Sequence, residues 1–185
     1  MLIDITLKVT PEMVKNAPGN ETQTLTGHLG THFDVMNKEF PLEYTNRPGV
    51  VFDVRHIRER DIDRDDIAME QVQPGMFVAF YTGYIEEVAY GCREYFGWHP
   101  QLADELIDAL LEKGVSIIGI DCSGIRRGAQ HIPADQRCAD KGTFVVENLC
   151  ELDKVLAGGE QFTAHTYPMP YIYLTGLPCR VIAEV

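Results

Sequence analysis

Residues 100–121 read PQLADELIDALLEKGVSIIGID, and this stretch decides the fold. Leu102, Leu106, Ile107, Leu110 and Leu111 recur at helical spacing, Pro100 suits a first helical turn, and Gly114 marks a stop. The spacing predicts a helix over 100–113. Val115–Ile120 follows at once as an apolar strand, ending in Asp121-Cys122-Ser123-Gly124. A helix that hands directly to a buried strand is the unit of an α/β layer.

Outward from this unit, strands are expected at Leu2–Leu7, Val50–Val54, Met76–Tyr81, Thr143–Val146, Phe162–Tyr167, Tyr171–Leu174 and Arg180–Ala183. Short helices are expected over 61–70, 134–141 and 149–156. Residues 8–21 and 40–49 carry Pro, Gly and Asn and read as loops, the second placed to drape over a site. The pattern is one mixed α/β domain over 1–185, with strands more numerous than helices. Ligands of such sheets gather at the carboxyl ends of strands, which directs attention to the segments after Ile120 and Val146.

Composition agrees. A chain of 185 residues, 45% hydrophobic and 24% charged, has a sizeable core and is neither disordered nor fibrous. A net charge of −12 argues against a nucleic-acid partner, which needs clustered Lys and Arg. Cys92, Cys122, Cys138, Cys150 and Cys179 are odd in number, scattered and without a CxxC pair, so they read as reduced thiols. Cys122, just after a strand, is the one thiol with a functional prospect, although no partner histidine can be assigned to it. No apolar run reaches membrane-spanning length, and the N-terminus alternates like a strand rather than a signal peptide; a cytoplasmic protein is expected.

The chemistry concentrates in His28-Leu29-Gly30-Thr31-His32-Phe33-Asp34. Imidazole nitrogens and a carboxylate are ligands for zinc, manganese or iron. If Thr31–Asp34 is extended, His32 and Asp34 share a face, and a bend at Gly30 brings His28 round to join them. Three such ligands leave positions open for water and substrate, the mark of a catalytic metal site. Glu147 ends an apolar strand, where a carboxylate is solvated, hydrogen-bonded, bound to a cation or held at a helix start. Asp135 lies twelve residues earlier and His131 four before that.

These motifs resemble the cyclase family, which includes bacterial kynurenine formamidases and isatin hydrolases. The resemblance rests on His28-x-Gly-Thr-His32-x-Asp34, the strand ending Gly119-Ile120-Asp121, the strand ending Glu147-Asn148-Leu149, the terminal Pro178–Ala183, and the opening Leu2–Thr6. It implies a swivelling β/β/α fold and one or two divalent cations, Zn2+ or Mn2+, per chain. His28, His32 and Asp34 would hold one; Asp34 would bridge to a second, completed by Glu147 and the residue twelve before it. The family places a histidine there and this chain has Asp135, which makes the site harder and leans it toward manganese or magnesium. His131 is a second candidate for that ligand place, one helical turn away.

The family motif also continues with a proline and a proton-shuttling histidine, where this chain reads Asp34-Val35-Met36-Asn37-Lys38. Lys38 or His131 would then move protons, with His56, His99 and His165 as further histidines that could serve from elsewhere. The implied reaction is hydrolysis of a small amide, N-formylkynurenine or a lactam, by a homodimer or homotetramer. Tyr84, Tyr95, Phe96 and Trp98 would meet an aromatic substrate or form core or interface, and Arg126 and Arg127 would meet a substrate carboxylate or form ion pairs. The alternative is a descendant that keeps the fold and a metal or ligand site without catalysis.

Overall fold

The computed structural model describes residues 1–16 and 26–185; the loop expected over 8–21 lies outside this from residue 17 onward. The helix expected over 100–113 is present as Asp104–Lys113. It starts four residues later than expected, because Ala103 is still extended and Pro100 precedes the first turn. Leu106, Ile107 and Leu110 are buried, while Asp104 and Glu105 lie at the positive end of its dipole. Gly114 ends it in the left-handed conformation (φ 71°), and its N–H closes on the carbonyls of Leu110 and Leu111.

In chain order the strands are β1 (Leu2–Asp4), β2 (His32–Asp34), β3 (Asn46–Asp53), β4 (Phe77–Tyr81), β5 (Ile117–Ile120), β6 (Phe144–Glu147), β7 (Gln161–Pro168) and β8 (Gly176–Glu184). The helices are α1 (Pro11–Asn16), α2 (Tyr84–Glu87), α3 (Arg93–Trp98), α4 (Asp104–Lys113), α5 (His131–Asp140) and α6 (Leu152–Gly158). The sheet order is β1-β8-β2-β6-β5-β4-β3-β7, and β7 also pairs with β8, which closes the sheet into a barrel. Strands β3 to β6 run parallel; β2 joins β6 and β7 joins β3 antiparallel, and β8 lies antiparallel between β2 and β7. This is a mixed α/β fold with helices alongside the sheet.

Two apolar cores explain the uninterrupted apolar runs. Phe33, Val51, Phe77, Ile117, Val146, Phe162 and Val181 fill the barrel interior, and Val50, Val78, Ile118 and Val145 face outward under Leu106, Ile107, Leu110 and Cys138. Strands buried on both faces have no polar side to alternate with. At Gly119 the inner face is so close that an added Cβ would stand 2.7 Å from the Phe77 ring and 2.8 Å from Leu149.

Several expected elements differ. Residues 11–16 form a short helix rather than loop. Strand β3 begins at Asn46, because Asn46–Val50 pairs with β7. Phe40 packs 4.6 Å from the Phe33 ring and 5.6 Å from Phe144, so residues 40–45 stop one end of the barrel core rather than drape over a site. Residues 61–70 hold only 3-10 turns at Arg64–Asp66 and Met69–Gln71, too short of apolar periodicity for a helix. Tyr171–Leu174 is not a strand: Ile172 is 75% exposed and Tyr173 fully so. The helix expected over 134–141 starts at His131, three residues early.

Candidate metal centre

Register brings the first pieces together. His32 and Asp34 are two apart on β2, and β6 runs antiparallel beside it with Glu147 directly opposite His32. Side chains at such positions share one face about 5 Å apart. Phe33 and Val146, the residues between, point into the barrel. The polar trio therefore stands on the outer face, at the end of the layer covered by α5. From α5 come His131 and Asp135, one turn apart on a common side. His28 arrives through a close backbone approach. Gly27 (φ 82°) packs on Gly176 so tightly that any Cβ would meet the Gly176 carbonyl.

The result is two sets of ligand atoms sharing Asp34: His28, His32 and Asp34, and Asp34, His131, Asp135 and Glu147, each set within 4.8 Å. His28 Nε2 lies 3.0 Å from Asp34 Oδ1, and His32 Nε2 lies 3.6 Å from both Asp34 Oδ1 and Glu147 Oε2. His131 Nε2 is 3.1 Å from Asp135 Oδ2 and 3.3 Å from Glu147 Oε1. Donor atoms on one cation, each bonded at about 2.1 Å, stand roughly 3.0–3.4 Å apart between octahedral and tetrahedral angles, close to the spacings here.

The polar atoms test the fit further. His32 Nε2, Asp34 Oδ2, Asp135 Oδ1 and Glu147 Oε1 are buried and make no hydrogen bond. A buried polar atom left unpaired costs about 1–3 kcal/mol, more when charged, so four converging on one place call for an occupant. No ion pair among the described residues brings Lys or Arg to these carboxylates. A divalent cation fits both the donor types and the deficit of positive charge.

Protons answer the same deficit in the protein alone. Burial pulls His32 down, but Asp34 and Glu147 outweigh it and raise the imidazole to about 9. His131 also overcomes burial and is pushed up to about 12 by Glu147 and Asp135. For Asp34, burial is outweighed by His32 and His28, which hold the carboxyl well below the usual range. Burial dominates at Asp135 and pushes its carboxyl up to about 7, with Asp34 and Glu147 adding repulsion.

A supporting layer orients the ligands, and the sequence reading missed most of it. His32 Nδ1 lies 2.9 Å from the Gly30 carbonyl, to which it donates, leaving Nε2 for the centre. The same carbonyl accepts from Asn148 Nδ2, and Tyr95 donates to Asn148 Oδ1 at 2.7 Å. Tyr90 Oη accepts the Gly30 N–H. The Thr26 hydroxyl sits 2.8 Å from His28 Nδ1. The one sequence signal for this layer is Asn148, placed next to Glu147 and adopting a left-handed φ of 58° that Asn tolerates.

Other candidates are occupied elsewhere. Lys38 Nζ pairs with Asp140 Oδ1 at 2.7 Å, both side chains more than a third exposed. Tyr95 is fully buried in the ligand support and so does not line a substrate pocket, while Trp98 is 73% exposed. Arg126 is buried and bonds Asp61, the Leu102 carbonyl and Gln130, which makes it a structural tie. Arg127 lines a cavity of about 360 Å3 with Trp98, His99 and Tyr84. Asp121 accepts hydrogen bonds from Thr82 N, Thr82 Oγ1 and Gly83 N, securing the end of β4. Cys122 is fully buried and its thiol is held well above the ordinary value by burial, so it is no nucleophile.

Similar solved structures share this architecture. One described as "Potential Metal-Dependent Hydrolase With Cyclase Activity" superposes with a TM-score of 0.77 at 23% identity, covering 99% of this chain and 96% of that one. Isatin hydrolase A from Ralstonia solanacearum gives 0.77 at 19% identity, covering 99% and 91%. Isatin hydrolase A from Labrenzia aggregata, bound to benzyl benzoate, gives 0.76 at 18%, covering 99% and 93%. At these identities the likeness establishes the fold. No curated protein matches by sequence. The family model described as "Putative cyclase" matches residues 3–126, two thirds of the chain and the whole of the His28–Asp34 motif, and the chain belongs to the cyclase family.

Proposed function

We propose that this protein is a metal-dependent hydrolase that opens a C–N amide bond of a small molecule. The observation that carries the reading is the clustering of four buried polar atoms without a hydrogen bond, on His32, Asp34, Asp135 and Glu147, in a family fold shared with isatin hydrolases. A lactam of the isatin kind and a formamide of the N-formylkynurenine kind are the substrates to try first, the first because of the solved neighbours and the second because of the motif resemblance.

His28, His32 and Asp34 would hold one cation, and Asp34, Asp135, Glu147 and His131 the other. A divalent cation supplies a Lewis acid for the carbonyl and lowers the pKa of water into the neutral range. The chain's own residues supply the rest. Asp34 ties the two groups together by serving both. The Gly30 carbonyl and Thr26 fix the imidazoles so that their Nε2 atoms face inward. The side chains of His28 and His131, 25% and 31% exposed, mark the open side from which substrate enters, while the other ligands are closed from water.

Protein as purified, stripped by chelator and reloaded with Zn2+ or Mn2+ should be assayed on isatin and N-formylkynurenine. The reading requires turnover that disappears on stripping and returns with metal, and that His32→Ala abolishes. The exposed Lys38–Asp140 pair favours the second reading, a non-catalytic binding protein. Metal uptake without turnover of any formamide or lactam would establish that one instead.

A further inference from the structure

The two halves of the centre offer a cation different things. His28 and His32 contribute two nitrogens against the one shared carboxylate of Asp34. The other half sets three carboxylates, Asp34, Asp135 and Glu147, against the single nitrogen of His131. Asp34, Asp135 and Glu147 are 2%, 2% and 3% exposed, and each keeps one oxygen with no hydrogen-bond partner. Their surplus negative charge is therefore presented to whatever occupies that half, undiluted by water. Both α5 residues take part. His131 Nε2 lies within 3.3 Å of Asp135 and Glu147 alike, so the imidazole is added to the carboxylate set and does not replace it.

We propose that the centre is built for two unlike cations: zinc in the His28–His32–Asp34 half, and a hard, oxygen-seeking cation, Mn2+ or Mg2+, in the Asp34–His131–Asp135–Glu147 half. This rests on the metal-dependent reading above. Zinc outbinds manganese at any given nitrogen and oxygen site. The margin comes from its affinity for nitrogen, present twice in one half and once in the other. Carboxylate charge attracts every dication alike and so narrows the margin. Geometry acts in the same direction: three ligands and a water suit tetrahedral zinc, whereas four ligand residues and added waters suit an octahedral cation. With manganese in excess over zinc, the halves therefore separate.

The test is metal content with cation-specific spectroscopy on the full chain. Stripped protein is given one equivalent of Zn2+ and excess Mn2+, dialysed, counted by elemental analysis and examined by Mn2+ electron paramagnetic resonance. The expected result is about one zinc and about one manganese per chain, with an isolated Mn2+ spectrum. Asp135→His should turn the second half toward zinc and cut retained manganese roughly tenfold or more when zinc is not limiting. His32→Ala should lose zinc and keep the manganese signal. Wild type binding one zinc and no manganese, two manganese ions in preference to zinc, or Asp135→His leaving the ratio unchanged would overturn the proposal while leaving a metal hydrolase intact. No retention of either cation under any mixture would overturn the hydrolase reading itself. The wild-type competition decides the question even if a variant fails to fold.

Discussion

At the scale of single residues, the centre depends on atoms up to three hydrogen bonds removed from the imidazoles. Tyr95 is wholly buried and donates to Asn148, whose amide holds the Gly30 carbonyl, which orients His32. Tyr95→Phe removes one hydroxyl and leaves Asn148 Oδ1 unpaired. The expected cost is about 1–3 kcal/mol in stability, read by urea denaturation. Metal affinity should weaken by roughly 10–100-fold through the loosened imidazole, read by titration with a chelating indicator. A purely structural tyrosine would lower stability and leave affinity unmoved. The His28–Asp34 motif is legible in the sequence because ligand type and spacing are local properties. The tyrosines are not, since Tyr90 and Tyr95 reach Gly30 and Asn148 across separations of 60 and 53 residues.

At the scale of elements, α5 shows what a small boundary shift decides. With the helix starting at Ala134, His131 is a loop residue that competes with Asp135 for one ligand place. With the start at His131, it lies one turn before Asp135, on the same side, and its imidazole joins the carboxylates. Helix starts are hard to place here because Gln130 already has helical backbone angles and makes no capping bond. The opening unit offers a cleaner comparison. At Gly114 nothing lies within 4 Å of an added Cβ, so Gly114→Ala meets only the cost of its φ of 71°, about 1 kcal/mol. At Gly119 the backbone is unconstrained but Phe77 and Leu149 are under 3 Å away, so Gly119→Ala should cost about 1–3 kcal/mol and disturb the barrel core. Equal destabilisation of the two in urea would contradict the inward facing of Gly119.

At the scale of the whole molecule, charge couples the centre to stability. His32 is raised from 6.5 to about 9 and His131 further, so the native chain holds protons that the unfolded chain has released. That stabilisation is complete below about pH 6.5 and is lost for His32 as pH rises through about 9. Asp135, raised from 3.8 to about 7, acts in the same direction at lower pH. Asp34, held low, stabilises above 3.8 and fails only in acid. Chelator-treated protein should therefore have a Tm that falls from pH 6 to pH 9. A bound cation displaces those protons, so loaded protein should show the opposite trend over the same range, and loading at pH 7 should release protons. Thermal melts at several pH values, with and without metal, check the sign.

The sequence by itself determined the α/β class, the helix-to-strand unit of residues 100–120, and the candidate ligands His28, His32 and Asp34, because periodicity and ligand spacing act over a few residues. It also identified Asp135 and Glu147 as carboxylates without a core role. Only the tertiary structure decided that β7 pairs with β8 to close the barrel, that Phe40 stops one end of it, and that Lys38 turns to Asp140. The same is true of the centre as a unit. His32 faces Glu147 because β2 and β6 pair in one register, and α5 lays His131 and Asp135 over both. Pairing register and helix packing are settled by burying two cores at once, and that energy belongs to residues far apart in the chain.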